Sequence, residues 1–445
     1  MTKVAMNLKV TVYVLTLALF SMFFTLSGCD VFDVENPNTL TEEGLENPSS
    51  ASALANGAEA KTTQALSEVL SPHSVATDEL KWVGSLNAWG SIDKGNTYDP
   101  QNSFLDDAFT QMGVARWTAD EAIDRIEQFD SEGALTDRTS KVRAYFYGGV
   151  VYVTIANQFD DFVIDSDRRD AGEPVGEDNM VSLYDTALDY INSGVDLAEE
   201  IGATEWRTRL VALRAYTTYS KALWGKLNPD VNTSSPLVDV PSQAVDDAEA
   251  VLDEVGNDWT YRLEISGETP DLRGGVGALI QNRSELVVSD NYVEPLSDGT
   301  GWTDIVLEDP IDGVAAPSIE ETLNRLETQD QDFSPTVTSA DELNLIIAES
   351  ELQAGNTGPG SEFRRRINNV RPDGLTDYTG QITPMEMYKH TRRVSLFLQA
   401  RRLADLYRFG ATADDVPVWT EGQLERGAFF PIGLTEIRAN PNLNP

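Results

Sequence analysis

The sequence predicts a mainly α fold: helix pairs stacked side by side, interrupted by a loop-rich insertion containing short strands. Three observations lead there. Apolar residues recur at helical spacing in segments of about 20 residues. Two of these segments share a triplet, Arg143-Ala144-Tyr145 and Arg214-Ala215-Tyr216, each followed by apolar and aromatic residues at matching offsets (Tyr147 and Val151; Tyr219 and Leu223). Between 228 and 338 the periodicity gives way to Pro, Gly, Asp and Ser.

The segments follow in order. Ser49 to Leu70 is Ala-rich with apolar residues at helical spacing, and Pro72 is expected to end that helix. Ser71 to Asn102 reads as a loop carrying Trp82, Trp89 and Tyr98 among Gly, Ser, Asn and Asp. Helical spacing returns from Phe104 to Phe129, with Leu105, Phe109, Met112, Ile123 and Ile126 on one face. Lys141 to Phe159, Met180 to Ile201 and Leu210 to Leu227 continue the pattern, with small Ala and Gly positions that let helices pack closely. The insertion reads as long loops with a few short strands and small helices, and 285–289 and 302–307 are short apolar runs of strand type. Ser339-Ala-Asp-Glu342 caps the next helix and Gly355 stops it. After a short helix at 361–370, Thr383-Pro384 opens a helix expected to run unbroken to Phe409 and stop at Gly410. The tail from Phe429 reads as extended.

The amino terminus has its own pattern. Lys3 and Lys9 precede an uncharged run from Val10 to Leu26, and Ser27-Gly28-Cys29 closes it. Cys29 is the one cysteine in 445 residues. The expectation is a lipoprotein signal over 1–28, acylation of Cys29 and an acidic tether over 29–48, with the body filling 49–445. Acyl chains bury roughly 0.8 kcal/mol per methylene, so several chains anchor firmly.

Composition narrows the functional classes. The formal charge is −40, from 73 acidic and 33 basic residues. Nucleic acid is excluded as a partner, because phosphate recognition needs a basic face. Two histidines and one cysteine leave almost no material for Cys/His catalysis or His-based zinc. The acids are dispersed, and Arg outnumbers Lys 24 to 9. That combination suggests a surface kept hydrated in high salt, where repulsion is screened within a few ångströms.

Several ordered blocks of the C-terminal third resemble the SusD/RagB family of surface nutrient-binding lipoproteins. They are Asp341 to Gly355, then Ile367-Asn368-Asn369-Val370-Arg371 with Gly374-Leu375, then Arg392-Arg393, then Arg401 to Gly410. Phe430-Pro431-Ile432, Glu436-Ile437 and Asn440-Pro441-Asn442-Leu443 complete the set. Two acids that usually accompany the arginines are replaced, by Thr391 and Gln399, which is expected to weaken internal ion pairs. The resemblance implies four tetratricopeptide-like helix pairs and no catalysis. It also implies an outer-membrane, surface-facing location and a SusC-like TonB-dependent transporter as partner. The ligand it implies is an oligosaccharide, or in some members a peptide.

Sugar capture needs flat aromatic faces framed by amides, carboxylates and guanidinium groups. The candidates are Trp82, Trp89, Asn87, Asp78, Tyr98 and Trp302, with Trp259 and Tyr292 behind them, while Trp117, Trp206 and Trp224 sit on helices and read as core. Arg392, Arg393, Arg401, Arg402 and Arg408 read as structural ion pairs, and Arg364-Arg365-Arg366 as a solvated face. No catalytic or metal-binding residue is assigned. Asp160-Asp161 with Asp165, Asp167 and Asp170 offer oxygens for Ca²⁺ but lack the spacing of a calcium loop. A helical envelope scaffold and a polysaccharide-degrading enzyme are the rival classes. The charge pattern carries a prediction of its own: the folded protein gains stability from dilute buffer to molar salt. Equal denaturation midpoints in the two would contradict it.

Overall fold

The computed structural model describes residues 45–164, 171–228, 235–265, 274–296, 301–409 and 429–443. Cys29, the signal segment, most of the tether, and Asp165, Asp167 and Asp170 lie outside the described residues. The chain divides into a unit ending at Ser50 and a body beginning at Ala51. In the first, Pro48–Ser50 form a single 3-10 turn, closed by Ser50 Oγ donating to Leu45 O at 3.0 Å.

The body is built on four helix pairs. Helix α1 (Ala51–Ala76) and strand β1 (Leu80–Trp82) come first, then α2 (Asn87–Asp93) and α3 (Ser103–Ser131). Helix α4 (Thr139–Gln158) leads through strands β2 (Val163–Ile164) and β3 (Glu173–Pro174) to α5 (Ser182–Ile201), α6 (Thr204–Leu227) and α7 (Ser242–Glu254). Pairs form between α1 and α3, α4 and α5, and α6 and α7, each packing on the next. After an insertion the fourth pair follows, α9 (Ala340–Gln353) with α10 (Glu362–Val370), and α9 packs on α7. The repeated Arg-Ala-Tyr triplets head the second and third pairs, on α4 and α6.

Small residues set the helix spacing, as the sequence suggests. A Cβ on Gly149 would meet Ile191 Cγ1 at 2.6 Å, and one on Gly194 would meet Leu210 Cδ2 at 2.9 Å. The axes of α4, α5 and α6 therefore approach where side chains are absent. Caps agree with the sequence too. Ser339 Oγ accepts from Glu342 N at 3.2 Å, and Thr383 and Glu386 form a reciprocal capping box.

The insertion holds β4 (Thr260–Arg262), β5 (Leu286–Val288), β6 (Val293–Pro295), β7 (Trp302–Ile305), helix α8 (Pro317–Gln329) and β8 (Thr336–Ser339). Among the described residues the strands form two-stranded antiparallel pairs: β1–β5, β2–β3, β4–β8 and β6–β7. The apolar runs at 285–289 and 302–307 supply β5 and β7, as expected. Helices α7 and α8, 13 residues each, supply the small helices expected inside 228–338. The buried face of α7 is carried by Ala244, Ala248 and Val251, with Asp247 also buried and bonded to Arg214 at 2.8 and 2.7 Å.

Two expectations are corrected. Pro72 does not end the first helix, which continues to Ala76. The missing N–H is tolerated because the last turn is buried and bonded elsewhere: Ser71 Oγ donates to Gly274 O at 2.6 Å and His73 Nδ1 to Gln158 Oε1 at 2.8 Å. Nor does one helix span 383–409. Helix α11 (Pro384–Ser395) and α12 (Arg402–Phe409) are separated by a break in which Leu398 and Ala400 adopt φ of 55° and 57°. Left-handed backbone costs roughly 1–2 kcal/mol per L-residue, so the surroundings must impose it. They do: Leu398 N donates to Glu79 Oε1 at 2.9 Å, Ala400 O accepts from Gln158 Nε2 at 3.4 Å, and Leu403 N donates to His73 Nε2 at 3.3 Å.

The arginines of the last helices point inward, as read from the sequence. Arg408 pairs with Glu349 and Asp405, Arg392 with Asp405 (2.8 Å), Arg401 with Glu342 (2.6 Å), and Arg402 and Arg393 both with Asp78 (2.6 and 2.9 Å). These five arginines are thus paired although 391 and 399 carry no acid, with every acid but Asp405 coming from outside the last helices. Glu349, fully buried, also accepts from Tyr219 OH at 2.6 Å, Tyr388 OH and Val238 N at 2.8 Å. Burial pushes its pKa up, but Arg408 and Arg392 outweigh burial and hold it below the ordinary value. Removing one partner of such a pair strands a buried charge at a cost of about 3–5 kcal/mol. Arg366 is a correction: it is buried against Glu362, Glu249 and Asn344 rather than solvated.

The tail is not wholly extended. Phe430 pairs beside Phe159 through reciprocal bonds with Gln158 and Asp160, then helix α13 (Leu434–Ala439) packs on α3. Asn440 and Asn442 donate to Gly172 O at 2.8 and 3.1 Å.

Burial raises Glu79 to about 7 from 4.5, against the opposing bond from Leu398 N; Asp78 pushes the same way as burial and Arg402 opposes it. A raised carboxyl pKa stabilises the fold below the unfolded value, and that contribution is lost as pH rises through 7. Asp160 and Asp341 lie near 7 as well and add to the fall, while His73 and His390, lowered to about 4, act oppositely below their unfolded pKa of 6.5. Glu79→Gln keeps an acceptor for Leu398 without the titration. Its urea midpoint is expected to fall less than wild type between about pH 5 and pH 8. Identical slopes would contradict the assignment.

Candidate functional site

The stretch 71–102, read as a loop, contains β1 and α2. Strand β1 pairs with β5 in the register Leu80↔Val288, Lys81↔Val287, Trp82↔Leu286. The turn that follows wraps Glu285. Val83 N and Gly84 N donate to its carbonyl, both at 3.1 Å. Ser85 N and Leu86 N donate to Oε2, both at 3.0 Å, and Ser85 Oγ to Oε1 at 2.9 Å. Burial works to raise this carboxyl, but the donors from Leu86 and Ser85 win and hold it low. Only glycine fits at 84, where a Cβ would lie 2.6 Å from Glu285 Cα.

Of the expected ligand residues, two are turned inward. Trp89 is 1% exposed and stacks on Phe104, ring centroids 3.9 Å apart, while Asn102 Nδ2 bonds Ala88 O at 2.9 Å. These contacts fasten α2 to the start of α3, so Trp89 is core. Asp78 is fully buried and its carboxylate is bidentate to Arg402 (2.6 and 2.9 Å) with Arg393 added at 2.9 Å. It holds the body together and has no free face. Tyr292 is likewise buried, stacked on Phe397 at 4.6 Å and under Arg393 at 4.8 Å.

The others face outward. Trp82 is half-buried, its indole lying against Gly90, where a Cβ would meet Trp82 Cε3 at 2.6 Å. Asn87 is exposed on the first turn of α2, and Tyr98, 48% exposed, follows that helix. Trp302 is half-buried on β7 opposite Pro295. The β6–β7 hairpin also exposes Leu296 and is followed by exposed Val306, with Asp304 between. Ribbons β1–β5 and β6–β7 are consecutive, joined by a tight turn in which Tyr292 N donates to Ser289 O at 2.9 Å. Trp259 is half-buried beside β4 and its carbonyl accepts from Ala340 N at 2.8 Å. Trp117, Trp206 and Trp224, assigned to the core, are half-buried instead.

The chemistry of this face is that of a binding surface. It offers indole and phenol rings, an amide and scattered carboxylates. Both histidines are held neutral by burial, away from it: His73 beneath the α11–α12 break and His390 near Asp309 (3.9 Å). Asp160 accepts from Phe429 N at 2.6 Å and Asp161 from Phe162 N and Gly176 N, both at 2.7 Å, so these oxygens already have partners. Among the described residues no group of three or more His, Cys, Asp or Glu is placed to hold a metal ion. Among the same residues no helix is long and apolar enough to cross a membrane.

Solved structures share this arrangement almost end to end. A SusD superfamily protein from Parabacteroides distasonis ATCC 8503 superposes with a TM-score of 0.62 at 12% identity, covering 91% of this chain and 98% of that one. A SusD homolog from Bacteroides thetaiotaomicron VPI-5482 gives 0.61 at 13% identity over 91% and 98%. A laminarin-binding SusD-like protein gives 0.53 at 12% identity over 88% and 98%. The chain has the SusD-like fold. No protein-family model matches it, and no curated protein does. Within the SusD-like fold, the blocks that carried the sequence resemblance serve the scaffold. Asn368 Oδ1 accepts from Tyr378 N at 2.7 Å, Arg371 clamps Asp309 at 2.7 Å, and Gly374 turns at φ 94°.

Proposed function

We propose that this protein is a non-catalytic receptor that binds oligosaccharides on the face carrying Trp82, Asn87, Tyr98 and Trp302. The observation that carries the reading is the extent of the shared fold. It matches carbohydrate-binding SusD-like proteins across nearly the whole body, the laminarin-binding protein among them. The exposed Tyr98 ring and the half-buried indoles of Trp82 and Trp302 supply the flat apolar surfaces that pyranose C–H faces stack on, and the surrounding amide and carboxylates supply hydroxyl partners. A strongly acidic surface favours neutral over anionic glycans. Ligand would then pass to a SusC-like TonB-dependent transporter in the outer membrane, with acylated Cys29 holding the receptor at the cell surface.

Titration calorimetry with laminari-, malto- and xylo-oligosaccharides tests the binding step. Tyr98→Ala and Trp302→Ala are each expected to weaken binding roughly tenfold, about 1.4 kcal/mol. Glycan binding that both variants retain at wild-type Kd would remove this face from the reading. Products released from the same oligosaccharides would replace the receptor by an enzyme. The anchor is tested by fractionation: Cys29→Ser is expected to move the protein from the membrane to the soluble fraction. An unshifted distribution would remove the lipid.

A further inference from the structure

A concavity separate from the candidate face lies among the helices of the body. It is a cleft of about 480 Å³ between α1, α3, the segment after α4 and the start of α13. None of its lining residues belongs to the Trp82–Tyr98 stretch or to the ribbon from Leu286 to Ile305. Phe109 and Phe162, packed together at 4.5 Å, form its inner wall. Trp117 lines it half-exposed, two turns along α3, beside Val114 at 39% exposure.

Two features distinguish this cleft from a packing fault. Gly113 lies inside α3, where glycine costs helix stability, yet a Cβ there would meet nothing within 4 Å. Its lack of a side chain keeps the space beside Trp117 open. The rim is polar and of mixed charge: Lys61 on one side, Glu436 and Thr435 on the other. Lys61 uses one donor on Gln64 at 3.1 Å and has two more, and Glu436 accepts from Asn440 at 2.9 Å with acceptor capacity left.

The volume lies in the range of small-ligand sites. An aromatic platform with donors and acceptors around it suits a hydroxylated ring. The chain's charge of −40 turns away anions. We infer that the cleft is a second sugar subsite, holding one or two rings of a neutral oligosaccharide against the Trp117 indole; this rests on the sugar-binding reading above. The receptor then holds glycan at two places, and a chain long enough to reach both gains avidity from the second contact.

Calorimetry with the same short laminari-, malto- and xylo-oligosaccharides is expected to show two binding events per chain. Trp117→Ala should weaken one of them roughly tenfold. Gly113→Leu should abolish that same event by filling the cleft, and because leucine is the better helix former, misfolding does not explain the loss. Tyr98→Ala and Trp302→Ala should affect the other event. Glycan binding with unaltered Kd and stoichiometry in both Trp117→Ala and Gly113→Leu would overturn the cleft subsite alone. Wild-type protein that binds none of these glycans would overturn it together with the reading it rests on.

Discussion

Arginine turned inward against carboxylate is the interaction on which the rest of this structure depends. Arg392, Arg401, Arg402 and Arg408 stand on or beside two short helices at the C-terminal end of the body; Arg392 and Arg408 share Asp405 on α12, while the other partners come from far away in sequence: Asp78 after α1, Glu342 and Glu349 on α9. The distant bonds tie the last helices to earlier layers, and Asp405 ties those two helices to each other. Such pairs are costly to desolvate, and their value lies in geometry: a guanidinium fork fits one carboxylate orientation. The break at 396–401 shows what that geometry demands. For Arg392 and Arg393 to face Asp405 and Asp78 while Arg401 and Arg402 reach Glu342 and Asp78, the helix must stop and restart, with Leu398 and Ala400 forced to positive φ.

The candidate face is mounted on that lattice. Asp78, bound by two arginines, precedes β1 by two residues, and Glu79 beside it caps the break. Strand β1 places Trp82 and pairs with β5, whose flanking Glu285 then shapes the turn into α2. Tyr292, stacked between Phe397 and Arg393, fixes the connection from β5 to β6 and so the hairpin that carries Trp302. Binding rings on short ribbons would be poorly positioned if those ribbons stood alone, since two strands are marginal in water. Here their roots are buried in the ionic core.

The helix pairs were legible in the sequence because each helix buries one apolar stripe, and a stripe of period 3.6 survives in one dimension. Ser339, Thr383 and Gly355 were legible because capping is local. What could not be read was set by distant groups. Leu396-Phe397-Leu398 continues a helical pattern, and nothing nearby says that Glu79 will take Leu398's N–H. Pro72 reads as a stop because the groups that hold its neighbours, Gly274 on Ser71 and Gln158 on His73, lie far along the chain. At the site, Trp82, Tyr98 and Trp302 lie outside regular helices, as the sequence suggests, whereas Asn87 opens α2. Trp89 was misplaced because α2 is only two turns long, too short for periodicity to separate its buried side from its exposed one. Asp78 could have been suspected: an acid next to a second acid, followed by a buried Leu80, is an unusual thing to place in a solvated loop.

The ionic lattice also bears on what the outer surface can bind. Each internal arginine is matched by an internal acid, so the buried pairs sum to little net charge. The formal −40 must then be carried almost wholly by groups that face water. A surface of that sign repels anions over a Debye length of about 8 Å at physiological ionic strength. Under the proposed reading, the exposed ring of Tyr98 and the half-buried indoles of Trp82 and Trp302 would be the principal means of attraction, by stacking and apolar contact, with carboxylates and amides accepting and donating around them. Uncharged, hydroxyl-bearing rings satisfy every one of those terms. An acidic polymer would gain the stacking and lose more in repulsion.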